Sequence, residues 1–220
     1  MAIRLATASD LAVTSRIAFR SFSLSPWNPF YRPKAKQFPE DVEKSYLREQ
    51  QEALGNNRKM FSVIEIDGSP KASLKQVVGF AIWNLADGQT GKAIPVDVDV
   101  LNFEDRSVDK YRGELLFGAT DSAVERCLKN HMELDNMAVD PDHFRQGYGG
   151  LLCKHGMGVA AEDKIPVGII AAKMGTYLYN SLGFKTTVQI TLADPRPGKE
   201  ASVDFWVQKW DPNESPENRG

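Results

Sequence analysis

Little in this chain of 220 residues suits disulfide or metal chemistry, because it has only two cysteines and three histidines. Cys127 and Cys153 both fall in apolar, helix-like patterns, which reads as buried thiols and not a disulfide. His131, His143 and His155 lie further apart than one helical turn and lack acid or cysteine companions at ligand spacing, so no metal site is expected. An excess of one charge is missing too. The formal net charge is −2, which gives no basic footprint for nucleic acid. No apolar run approaches a membrane span, and the N-terminal stretch has no apolar signal core. A cytoplasmic setting without membrane or nucleic-acid partners is the expectation. A Gly-x-Ser-x-Gly elbow is also absent, and Ser21 and Ser23 have no evident base, which argues against serine nucleophilic catalysis.

What remains is ordinary globular composition, 42% hydrophobic and 25% charged. The length suits one domain over residues 1–210, with 211–220 as a polar, frayed tail. Residues 3–6 alternate as a short strand. Ser9-Asp10 offers an N-cap to a helix that runs to Phe22. Residues 24–40 mix aromatics with prolines and read as an ordered loop. A charged helix follows over 40–54, then strands over 60–66 and 76–85 around a turn at 67–70. Residues 86–108 are weakly patterned and precede a helix over about 109–130. Strand 131–139, helix 148–163, strand 167–172, a short helix over 175–182 and strands near 184–192 and 203–210 complete the chain. The strand–helix–strand unit at 131–172 implies a right-handed crossover between parallel strands, and the remaining neighbours read as antiparallel. The expected fold is α/β, a mixed and largely antiparallel sheet of six to seven strands flanked by helices.

The most informative stretch is 133–150. A strand breaks at Asp140-Pro141, a glycine turn Gly147-Tyr148-Gly149-Gly150 follows, and an apolar helix begins behind it. Glycines let consecutive amides converge on an anion, and the helix adds its unpaired first-turn amides. This suits a pyrophosphate. A P-loop is excluded, since Gly-Gly-Leu-Leu stands where Gly-Lys-Ser/Thr is required. A dinucleotide fingerprint fits poorly, because Leu152 takes the third glycine position and no acid ends the strand at 167–172.

Val139-Asp140-Pro141, Arg145-Gln146-Gly147-Tyr148-Gly149 and the later Leu178-Tyr179-Asn180-Ser181-Leu182-Gly183-Phe184 together resemble the GNAT N-acetyltransferase superfamily. The family's Gln/Arg-x-x-Gly-x-Gly/Ala signature falls on residues 144–149, with Phe144 in place of the usual Gln or Arg. The segment 131–184 covers both motifs. The aromatic, proline-containing segment before Pro39-Glu40-Asp41 is similar to fungal small-molecule members. The resemblance implies a sheet whose central parallel strands splay, and acetyl-CoA as the cofactor. It places the pyrophosphate on amides of Arg145, Gln146, Gly147, Tyr148, Gly149 and Gly150, and pantetheine along Met137, Ala138 and Val139. Asn180 and Lys173 would meet the adenosine end, and Tyr179 would give a proton to the departing thiolate. Glu133 precedes Gly147 by 14 positions, a spacing similar to that of the base in the histone acetyltransferase branch. Asp135, two residues on, is the alternative base, and a bulge would change which of the two faces the cleft.

The implied reaction is acetyl transfer to a small-molecule amine by direct attack. O-acetyl or longer-chain transfer, and a CoA-binding module without catalysis, stay open beside it. Trp27, Phe30, Tyr31, Trp83 and Trp206 are the candidate acceptor-wall residues. A homodimer is compatible with the family, although no residue of the sequence marks an interface.

Overall fold

The computed structural model describes residues 1–68, 75–96 and 103–214. Parts of the turn at 67–70, of the segment 86–108 and of the tail 211–220 lie outside the described residues. Strand β1 (Ala2–Leu5) leads through one 3-10 turn into α1 (Leu11–Phe22), α2 (Trp27–Tyr31) and α3 (Pro39–Leu54). The hairpin β2 (Lys59–Asp67) and β3 (Lys75–Asn84) follows, then α4 (Lys110–Cys127), β4 (Met132–Val139) and α5 (Tyr148–Glu162). The chain ends with β5 (Val167–Ala171), α6 (Lys173–Ser181), β6 (Lys185–Ala193) and β7 (Ser202–Trp210).

Two local expectations change. Residues 24–40 are not all loop, because α2 forms within them. Its prolines do not stop it, since Pro26 is the N-cap and Pro29 sits in the first turn, where no amide is needed for the ladder. Asp10 does stand at the N-cap of α1, but its side chain makes no cap bond there. It serves Arg4 at 2.8 and 2.9 Å and the Thr7 amide at 2.8 Å instead.

The seven strands form one mixed sheet in the order β1-β2-β3-β4-β5-β7-β6. Only β4 and β5 are parallel among the pairings, and they pair over just three rungs, Met132–Val167, Glu133–Gly168 and Leu134–Ile169. Beyond those rungs β4 continues against β3 as far as Val139, and β5 continues against β7 as far as Ala171. The two central strands therefore part, each wall held by its antiparallel neighbour. A bulge lies just where they part: Trp83 faces Leu134 and Ile82 faces Asn136, so Asp135 is the extra residue.

One face of the sheet packs on α5 and α6. Ile64, Val78, Ala81, Trp83, Met132 and Leu134 meet Leu152, Cys153, Met157 and Tyr179 there. The opposite face carries α1 and α3 over β2 to β4, through Phe61, Val63, Phe80 and Ile82. Helix α4 covers the other half of that face, where Ala123 meets Phe205 and Val207. A buried ion cluster fixes the start of α4: Arg112 Nε donates to Asp194 at 2.7 Å, and Arg196 reaches both Asp194 and Asp109, at 2.6 and 2.9 Å. The two guanidiniums hold the Asp194 carboxyl far below the usual carboxylate range.

In the α5 layer Gly156 lies against the Trp83 ring. A Cβ on Gly156 would stand 2.2 Å from the Trp83 ring, and Trp83 is fully buried. Gly156→Ala is expected to destabilise the fold by about 1–3 kcal/mol, the usual cost of overpacking. Thermal denaturation should show the loss, and Trp83→Leu in the same chain should recover part of it. An unchanged melting temperature in the single variant would show that this layer has slack.

Candidate active site

The gap between β4 and β5 has unpaired backbone on both sides. The Asp140 amide donates to Val78 O at 2.8 Å, towards β3. By strand alternation Ala138 shares that direction, and Met137 and Val139 turn their amides and carbonyls to the gap. Ala138 has its side chain buried under the α1/α3 layer, so it contributes no surface to the gap.

At the open end of the gap the chain leaves β4 through one 3-10 turn at Pro141–His143 and enters α5. Arg145 and Gly147 both adopt positive φ, 61° and 85°. Alternation into the left-handed region turns successive amides to one side and forms a concave nest. Among the described residues, the amides of Arg145 to Gly150 make no backbone hydrogen bond outside helix α5. Four of these residues, Gly147 to Gly150, also form the N-cap and first turn of α5, where the helix dipole is positive. A Cβ on Gly149 would lie 3.3 Å from Leu178 and 3.9 Å from Met137 and Val139, so its absence keeps open the passage between the nest and the gap. The site fits a pyrophosphate continued by a narrow arm that enters between the strands. Phe144 is exposed beside it and adds no charge.

At the closed end stands Glu133, on the last paired rungs. It alternates with Met132 and Leu134 and so faces the α1/α3/α4 side. It is half-buried, and Asn84 Nδ2 donates to its Oε2 at 2.9 Å. Desolvation raises its proton affinity, the Asn84 bond opposes this, and the charges of Asp135 and Asp121 add to it. Asp135 is more open and accepts from Lys59 Nζ at 2.5 Å. Glu49 of α3 lies near enough to feel the charge of Asp135, and Asp121 of α4 near enough to act on Glu133, so both helices bring acidic groups to this end of β4.

Tyr179 lies across the sheet, in the α5/α6 layer. Burial raises its phenol strongly, so it keeps its proton through neutral pH, and its hydroxyl makes no side-chain hydrogen bond among the described residues. Asn180 points to β7, where Gln208 Nε2 donates to its Oδ1 at 2.6 Å. Lys173 is exposed at the start of α6. Cys153 is fully buried with its thiol pushed up to about 12, and Cys127 is half-buried and free.

The candidate wall residues separate into two groups. Tyr31 is buried and stands edge-on to Phe117 of α4 at 5.2 Å between ring centres. Trp27 is pinned to β7 through Phe205 and a 3.2 Å bond to Asp204 O, and Phe30 packs on Leu116 and Val203. Trp83 is corrected from a wall to a core residue: its ring is sealed against α5 on the other face. Trp206, on β7, is half-buried. No sequence pattern pointed to Arg32, which is buried, stacks on Tyr31 and Tyr46 at 4.9 and 5.4 Å, and binds Asp105, Ser107 and Ser45. Lys59, Asn84, Glu49 and Asp121 were equally silent, since each reaches the site only through the sheet or a distant helix. A cavity of about 560 Å³ opens near the same end of the sheet, lined by Leu5, Leu54, Leu85, Gln89 and Val159, and it shares Lys59 with this cluster.

Residues 27–184 match the model of the acetyltransferase (GNAT) family. An acetyltransferase of Stachybotrys chartarum is 28% identical over 196 residues, covering 87% of this chain and 84% of that protein. Among solved structures, a histone acetyltransferase HPA2 and related acetyltransferase from Corynebacterium glutamicum matches with a TM-score of 0.61 and 17% identity over 97% of each chain. Mosquito arylalkylamine N-acetyltransferase like 5b gives 0.56 at 16% identity, over 96% of this chain and 99% of that one. The PaiA N-acetyltransferase of Thermoplasma acidophilum, in complex with coenzyme A, gives 0.53 at 13%, over 96% and 98%. These structural likenesses carry the fold, and the match over 27–184 carries the family. With a splayed parallel pair, an amide nest and a gap between them, the chain belongs to the acetyltransferase (GNAT) family and is an enzyme that uses acetyl-CoA.

Proposed function

We propose that this acetyltransferase acts on the amine of a small molecule, by direct attack and without an acyl-enzyme. The observation that carries the reading is Glu133, a desolvated carboxylate held by Asn84 at the closed end of the gap. Acetyl-CoA supplies an acetyl group activated as a thioester. The amides of Arg145 to Gly150 hold its pyrophosphate, and the gap-facing backbone of Met137 and Val139 pairs with the pantetheine arm. Glu133 takes the proton of the attacking amine, directly or through water, and Tyr179 holds a proton for the sulfur from the opposite face. Asp135 serves poorly as the base, because its carboxylate is already bonded to an ammonium. Cys153 is buried and protonated, which removes the obvious cysteine nucleophile.

The cleft beneath α3 and α4 would receive the acceptor. Its carboxylates and the Tyr31–Phe117 pair suit an amine that arrives protonated with an organic body. The mosquito neighbour is by name an arylalkylamine N-acetyltransferase, in line with such an acceptor.

Three outcomes test the roles. Because Glu133 titrates above an ordinary glutamate, kcat/KM should rise with pH through that raised midpoint. Below the midpoint Glu133→Gln and wild type should converge. Above it the variant should be roughly 10²-fold slower, and the gap should narrow where the amine deprotonates unaided. A wild-type acid limb in Glu133→Gln would remove the base assignment. Tyr179→Phe should lower kcat by roughly 10-fold or more with coenzyme A affinity kept, as read by calorimetry; unchanged turnover would make Tyr179 a packing residue only. Gly147→Ala has room for its Cβ but sits at φ 85°, so it costs about 1–2 kcal/mol of strain. The thermal shift given by coenzyme A should shrink accordingly, and a full shift would place the pyrophosphate elsewhere.

A further inference from the structure

The two carboxylates of β4 stand two residues apart and are held by different partners. Lys59, Asn84 and Glu133 lie in one row across three strands, as Cα partners Lys59–Asn84 and Asn84–Glu133. Side chains in such a row share a face. Asn84, in the middle, donates to Glu133 at 2.9 Å. Lys59 passes over that row and donates to Asp135 at 2.5 Å. The bulge makes the diagonal possible, because the extra residue in β4 has no direct partner on β3 and its carboxylate is free to meet a longer side chain from β2.

We propose that Lys59 and Asn84 are positioning residues that divide the work of the two carboxylates. Asn84 fixes Glu133 as the proton acceptor, and Lys59 neutralises Asp135 so that it neither competes for the proton nor repels the ionised base. The proposal rests on Glu133 being the base, but the interaction itself can be read without any acceptor. Asp135 is near enough for its charge to act on Glu133, and the Lys59 charge opposes that effect. The groups that act on these carboxylates are Asp121 from α4 and Glu49 from α3, both acidic, with Arg32 and Arg48 acting on Glu49. Lys59 is thus the cation that balances Asp135. Without it, Glu133 would meet net negative charge on both sides; without Asp135, it would meet an unbalanced ammonium.

The sign pattern is the test. Carboxyl 13C NMR of protein labelled at Asp and Glu follows the titration of Glu133, whose signal is assigned by its loss in Glu133→Gln. Lys59→Met should move the Glu133 midpoint up, by roughly one pH unit for a unit charge several ångströms away. Asp135→Asn should move it down by a similar amount, and the double variant should return it close to wild type. Lys59→Arg keeps the charge and should keep the midpoint. Asn84→Ala should raise the midpoint, because the bond that favours the ionised form is gone. Loss of packing alone would lower melting temperatures without this alternation of sign. Equal midpoints across the series, or shifts of one sign only, would overturn the proposal. A wild-type acid limb in the rate profile of Glu133→Gln would instead remove the catalytic reading while leaving the titration result standing.

Discussion

Everything in this molecule that concerns acetyl transfer depends on backbone hydrogen bonds that two neighbouring strands do not make. Parallel pairing between β4 and β5 stops after Leu134–Ile169. Unpaired amides and carbonyls in a sheet's interior are costly unless something else binds them. The parting persists because each wall is held from outside, by β3 up to Val139 and by β7 up to Ala171. The bulge at Asp135 falls at the point of divergence, and bulges raise local twist and re-aim side chains. The nest before α5 sits at the open end of the gap and the Glu133–Asn84 bond at the closed end, so the length of β4 separates the two.

A parted sheet also solves a problem of access. Side chains of one strand alternate between faces, and in an intact sheet groups on opposite faces never meet a common atom. Glu133 faces the α1/α3/α4 layer, and Tyr179 belongs to the α5/α6 layer. Only where β4 and β5 separate can the two act on one point. The amide nest before α5 then lies with one layer and the Glu133–Asn84 bond with the other, which is the division the proposed donor and acceptor roles require. Helix α4 belongs to the second. Its anchoring by Arg112, Arg196 and Asp194 fixes the wall that carries Phe117 and Asp121.

The strand–turn–helix unit proposed for the donor was legible in the sequence because it is local. A strand, a break, a glycine turn and a helix lie within 133–162, and the positive φ at Gly147 is what that composition anticipates. Element order and the parallel crossover were equally readable, since periodicity reports each segment by itself. The part proposed for the acceptor is assembled from residues far apart in sequence. Lys59, Asn84 and Glu133 meet through strand register, and register is decided by partners that no local pattern names. Trp83 shows the same limit from the other side: an aromatic near the site in sequence is turned by alternation into the opposite core. The short helix α2 was hidden for a different reason, because prolines that forbid a helix interior are harmless in its first turn.

Base strength and acceptor choice are consequently not independent here. The proton affinity of Glu133 is raised chiefly by its burial. Helices α3 and α4 bring Glu49 and Asp121 to the same end of β4, where their charges act on this cluster. Trimming one of these side chains to admit a larger amine would also let water reach Glu133, lower its proton affinity and weaken it as a base. Replacing an acidic wall residue by a neutral one would act in the same direction, because Asp121 contributes to the raised midpoint through its charge. The hydrogen bond from Asn84 and the ammonium of Lys59 set the opposing limit, since both favour the ionised carboxylate. With Glu133 as the proposed base, acceptor choice and working pH would therefore both be set by one balance between desolvation and charge at the closed end of β4.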